Sequence, residues 1–269
     1  MCPECRALID RDVSPCPLCG ARIRSSRSQA RILGGLLPLP STASSAIVAA
    51  TIALYALSWF LTQKSAEPGE VTSLGEIDGR VLIRLGAKFG PLIMAGEWWR
   101  LVTPIFLHAG LLHIGMNLWC LFDLGPTVES LFSTSKFIFF YFITGVIGFV
   151  FSFVWSPYGT SIGASGAILG LIGVLLGATY HHGTIGREYR SQLWRWLILI
   201  AVLGLFSATD NAAHLGGLVS GAVLGHFVPE GEPSTRATEN AWNILAMISI
   251  MIIAASFALM ALQMNRPLG

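Results

Sequence analysis

One serine and one histidine stand where chemistry could occur in an otherwise apolar chain. Ser165 immediately precedes Gly166, and His214 lies one turn before Gly217. A serine hydroxyl is a weak nucleophile at neutral pH and needs a neighbouring base. His214 is the candidate, because an ionisable group inside a membrane span marks function by default. A transmembrane serine alone carries little weight, since its hydroxyl commonly bonds back to its own helix. His113 and Asn117 are four residues apart and share a helix face. Both can donate to the negative charge that acyl transfer develops on a carbonyl oxygen. The bland reading of that pair is an interhelical hydrogen bond worth about 1 kcal/mol. The start of the helix at Ser165 adds unpaired backbone N–H groups. No carboxylate is well placed as a third member. Asp210, one turn before His214, reads as a solvated loop residue, which leaves a Ser–His dyad.

The elements that must hold these groups are apolar. Hydrophobic residues make up 53% of the chain and charged residues only 12%, where soluble domains carry about 25% charged. A surface so poor in charge does not face water, and a net charge of +2 implies no strongly acidic or basic partner. A hydrocarbon layer about 30 Å thick takes roughly 20 apolar residues per helix. Seven candidate spans follow: 45–62, 111–130, 137–155, 165–180, 193–208, 212–228 and 242–262. No cleavable leader precedes the first of them. With the N-terminus inside, eleven Lys and Arg fall on the inner side and six on the outer, so the positive-inside bias favours N-in and C-out. The outer loop at 63–110 is long and contains Trp98 and Trp99, read as interface anchors.

Glycines stand at 163, 166, 170, 173 and 177 in the fourth span, spaced to share one face. Gly217, Gly221 and Gly225 repeat every four residues in the sixth. In lipid, such faces let two helix backbones touch. If the two stripes meet, Ser165 and His214 meet at similar depth.

The same residues resemble the rhomboid intramembrane proteases. Gly163-Ala164-Ser165-Gly166 resembles their GxSG, His113 to Asn117 their HxxxN, and Ala213-His214-Leu215-Gly216-Gly217 their AHxxG. Trp99-Arg100 is similar to the WR of their first outer loop, and His108 matches a further histidine before HxxxN. Motif order and spacing agree from about residue 45 to 228. The resemblance implies an all-α polytopic membrane protein with a six-helix core and one added helix (6+1). It implies Ser165 as nucleophile, His214 as general base and acid, and His113, Asn117 and the Ser165 backbone N–H as the oxyanion site. No cofactor enters the catalysis. Substrates would be single-span membrane proteins cut in or beside their membrane segment. Leu169 departs from the pattern, standing where members often carry an aromatic against the catalytic histidine. A non-catalytic, client-binding relative is the alternative.

Ahead of the spans, Cys2, Cys5, Cys16 and Cys19 form two CxxC pairs. Four thiolates so spaced suit a structural zinc site, with iron possible. Twenty residues bury too little to fold without such a staple. Disulfides are disfavoured on a reducing inner side. The expected layout is a zinc-ribbon-like module at 1–20, a basic linker at 21–44, the protease core at 45–228, and a linker with a seventh span at 229–269. The module's partner is unknown, the linker arginines suit anionic lipid, and no nucleic acid is expected. A bacterial plasma membrane is the expected location.

Overall fold

The computed structural model describes residue 19 and residues 43–65, 75–180, 190, 191, 193–195, 197, 198, 200 and 209–264. Apolar sequence makes the helices. The long ones are α1 (Ala43–Ser65), α4 (Leu111–Phe132), α5 (Thr134–Trp155), α6 (Ser165–Thr179), α7 (Asn211–Phe227) and α8 (Arg236–Gln263). Two short helices, α2 (Gly79–Arg84) and α3 (Gly90–Met94), lie in the loop between α1 and α4. The described residues from 190 to 200 are also helical, in the fifth expected span. By length and composition α1, α5 and α8 can each cross a membrane, and α6 is a shorter apolar helix. The chain is therefore an all-α, multi-pass integral membrane protein.

α6 lies at the centre. Every residue from Gly166 to Thr179 is buried, packed by α7, α5 and α4. The glycine stripes meet as their spacing implies. A Cβ at Gly217, Gly221 or Gly225 would overlap the carbonyl of Gly166, Gly170 or Val174. A Cβ at Gly173 or Gly177 would likewise overlap the carbonyl of Leu218 or Ala222. Gly170 differs from Gly173 and Gly177: its missing Cβ makes room for Thr144 of α5, while its carbonyl faces α7.

Two polar faces bound the bundle. On one, Glu129 near the end of α4 accepts from Ala43 N (3.0 Å), Ser44 N (3.4 Å) and Thr134 Oγ1 (2.9 Å). It thus caps α1 and anchors α5, as a carboxylate at a helix N-terminus should. Beside it, buried Lys136 donates to Pro229 O (2.7 Å) and Gly231 O (2.9 Å) and lies over the Trp242 ring.

On the opposite face the 75–110 loop folds into a small core of its own, with Ile77, Val81, Leu82, Leu85, Ala87, Trp99 and Leu107 packed on Met260 of α8. Trp99 is therefore a buried core residue rather than an interface anchor, whereas Trp98 is exposed. Arg100 is buried and braces this loop through Ile83 O (2.6 Å), Ala87 O (3.0 Å) and Glu97 (2.6 Å). Strand β1 (Lys88–Phe89) pairs antiparallel with β2 (Thr160–Ser161), Lys88 opposite Ser161. The C-terminal end of α8 completes the brace, Phe257 meeting the Phe106 ring at 5.7 Å.

Candidate active site

Ser165 opens α6 and His214 sits in the first turn of α7. Their Oγ and Nε2 are 2.7 Å apart, within hydrogen-bond reach. The glycine seam is the cause. Helices separated only by backbone bring side chains on adjoining turns into contact, and both residues lie at the same end of the seam. Gly166, beside the serine, faces Ala213, beside the histidine.

His113 approaches from α4. A Cβ added at Gly163 would lie 2.7 Å from His113 Nε2 and 3.9 Å from Ser165 Oγ. Gly163 also takes φ +124°, a region that favours glycine. Glycine at 163 therefore meets two needs, the turn before the serine and the space for the imidazole. Ala109 N approaches His113 Nδ1 at 3.5 Å. That contact makes Nδ1 the acceptor and leaves Nε2 as the N–H facing the serine. Asn117 is buried on the same helix and donates through Nδ2 to His113 O at 2.8 Å. One of its two amide hydrogens is thus used within α4. His108 is fully buried and stacks edge-on against His113, centroids 4.9 Å apart. Leu169 is buried in the main core.

These groups open on a cavity of about 570 Å³ whose lining includes His113, Gly163, Ser165, Gly166 and His214. Lys88, Ser161 and Asp210 lie on its wall as well. Asp210 is not a solvated loop carboxylate. It caps α7, its Oδ1 accepting from Ala213 N at 3.0 Å, and it accepts the Ser152 hydroxyl of α5. The available signal was its place immediately before the helix, where aspartate is a favoured N-cap. Lys88 and Ser152 gave no such signal, because only tertiary pairing brings them here.

The metal reading falls mostly elsewhere. Cys2, Cys5 and Cys16 lie outside the described residues, and Cys19 is exposed. Among the described residues no three His, Cys, Asp or Glu cluster as a metal site.

A model of the rhomboid domain matches residues 95–230, half of the chain. That range holds every motif above except the cysteine pairs. Among curated proteins the chain is 37% identical to the rhomboid protease GluP of Bacillus subtilis over 63% of its own length and 32% of that protein. It is 32% identical to rhomboid-like protease 3 of Toxoplasma gondii, over 66% of each chain. It is also 32% identical to the rhomboid protease AarA of Providencia stuartii, over 53% of this chain and 60% of that one. The chain thus spans from about a third to two thirds of these relatives. A shared domain, a helix bundle sealed by glycine backbone, and serine and histidine in contact at one end of that seal together make this chain a member of the rhomboid family.

Proposed function

We propose that the chain is an intramembrane serine endopeptidase working through a Ser165–His214 dyad. The observation that carries this reading is the 2.7 Å contact between Ser165 Oγ and His214 Nε2, at a cavity that His113 also lines. Relatives named as rhomboid proteases support it.

In the proposed reaction Nε2 takes the hydroxyl proton as Oγ attacks the scissile carbonyl. The oxyanion so formed is met by His113 Nε2–H, the free Asn117 N–H and the Ser165 backbone N–H. The imidazolium then protonates the leaving amine, and an ester to Ser165 remains. Water, deprotonated by the same imidazole, hydrolyses it. Asp210 stays outside the proton path, since its hydrogen bonds go to Ala213 N and Ser152. The substrate class is a single-span membrane protein with helix-weakening sequence at the cut, because a helical peptide bond is hydrogen-bonded and shielded until it unwinds.

An N-in, C-out orientation in a bacterial plasma membrane fits the distribution of Lys and Arg. It also fits the contact of the end of α8 with the 75–110 loop. The four N-terminal cysteines are proposed to hold a structural zinc ion, a reading that rests on their spacing alone. Metal content of the purified protein against its Cys→Ser variants tests it.

Cleavage of a single-span reporter in liposomes is the direct test of the protease. Wild type should cut, and Ser165→Ala and His214→Ala should fall to background, a loss of about 10³-fold or more. Cutting that persists in Ser165→Ala would remove the nucleophile and the mechanism with it. A folded wild type inert on every reporter and unlabelled by a serine-directed probe would favour the client-binding reading.

A further inference from the structure

Two helices meet on the carboxylate of Asp210, one turn ahead of His214. Its Oδ1 accepts from Ala213 N at 3.0 Å, at the start of α7. Its Oδ2 accepts the hydroxyl of fully buried Ser152, from the last turn of α5. Ser161 of β2 and Lys88 of β1 share the cavity wall with it, and the charge of Lys88 is attractive to it. Lys88 is itself 1% exposed. It is held by Ser156 O (2.6 Å) and Gly159 O (3.0 Å), and its backbone pairs with Ser161.

A helix N-cap needs one side-chain oxygen on one backbone N–H. Asp210 does that and also takes the Ser152 hydroxyl of α5, on a wall it shares with Lys88 and Ser161. A buried lysine drawn to a carboxylate is costly to arrange unless both are held, so this density of partners calls for a role beyond capping. The glycine seam suggests which. It fixes α7 against α6 from Gly217 onward, but His214 stands in the turn before that. Asp210 holds that turn from its other end, through Ala213 N and through its own carbonyl, which accepts His214 N at 3.1 Å.

We propose that Asp210, with Lys88 beside it on the same cavity wall, is a positioning residue that sets the pose of His214 against Ser165 by tying the first turn of α7 to α5. The inference rests on the Ser165–His214 reading above.

The test uses the full chain in detergent, with Asp210→Ala, Asp210→Asn, Lys88→Met and the double variant Asp210→Asn/Lys88→Met. Two quantities are read per folded molecule: the rate at which a fluorophosphonate probe reacts with the serine, and kcat and KM on a single-span reporter. Asp210→Ala should lower both probe rate and kcat at least tenfold, with KM within twofold of wild type. Asp210→Asn keeps an acceptor for Ala213 N and should recover most of that loss. Lys88→Met strands the carboxylate and should also lower kcat, while the double variant should be less impaired than the product of the single effects. A folded Asp210→Ala with kcat within twofold of wild type, or a loss carried by KM alone, overturns the proposal. If Asp210→Ala does not fold, the Lys88→Met cycle decides, and simply multiplicative effects overturn it. A wild type that neither cuts nor reacts with the probe brings down the protease reading and this inference with it. An active wild type matched by its Asp210 and Lys88 variants brings down this inference alone.

Discussion

His113 and Asn117 share a helix face but not a situation. His113 presents Nε2 toward the serine side of Gly163, whereas Asn117 already gives one N–H to His113 O. If both serve the oxyanion, their removal should cost unequally. His113→Ala should lower kcat by about 10²- to 10³-fold, the loss found when an oxyanion donor is removed. Asn117→Ala should cost about tenfold or less, as one of its amide hydrogens is already given to His113 O and the cavity lining includes His113 but not Asn117. Reporter kinetics on each variant, with KM followed separately, check the order, and equal losses would contradict it. At this scale the sequence was informative about the Ser165–His214 contact, because serine and histidine sit in glycine-patterned helices whose faces meet. It was misleading about Asp210 and Trp99. A carboxylate before a helix and a tryptophan in a long loop look solvent-facing until the loop folds back, and only then do Ser152, Lys88 and Met260 cover them.

Among the elements, the α6–α7 seam tolerates least. Gly221→Ala would drive a methyl group into the Gly170 carbonyl, with no flexible side chain to give way. The expected cost is about 3 kcal/mol, the upper part of the overpacking range, read as a lowered unfolding midpoint with activity lost alongside. Gly115→Ala on α4 meets nothing within 4 Å and should be neutral or stabilising by up to about 1 kcal/mol. The short helix α2 offers a pH-dependent case. Asp78 caps it at Arg80 N (2.6 Å) and Val81 N (3.4 Å). The Arg80 guanidinium bonded to Asp78 holds its carboxyl below the usual range. A carboxylate with a lowered folded pKa stabilises above its unfolded pKa, and that contribution fades as pH falls through the folded one. Asp78→Ala should cost about 1 kcal/mol at neutral pH and progressively less in acid, in melts followed from pH 7 to pH 3. The long helices were legible from apolar length. The β1–β2 pair and α2 were not, because two- and six-residue elements are made by their partners rather than by period.

Taken whole, the described molecule braces the end of the bundle that holds Ser165 and His214 with its last helix. Helix α8 covers the last expected span and is long and apolar enough to cross a membrane, and its C-terminal end packs into the 75–110 loop through Phe257 and Met260. That loop carries Lys88 and leads through Pro104, whose carbonyl accepts Gly163 N at 2.9 Å, to the turn before the serine. Deleting residues 236–269 should therefore lower both the melting temperature and the reporter cleavage rate. Unchanged cleavage in the shortened chain would mean the loop holds itself. Sequence could supply the length and apolarity of α8 but not this contact, since it depends on where the loop folds.

At the other face, the first span begins where Glu129 meets Ala43 and Ser44, from 86 and 85 residues further along the chain. Its starting point is thus anchored from within the bundle. In evolutionary terms this makes residue 43 a splice point. Leading segments of different length and chemistry could be exchanged ahead of it, each inheriting the same anchored first helix, while the catalytic frame downstream keeps its register.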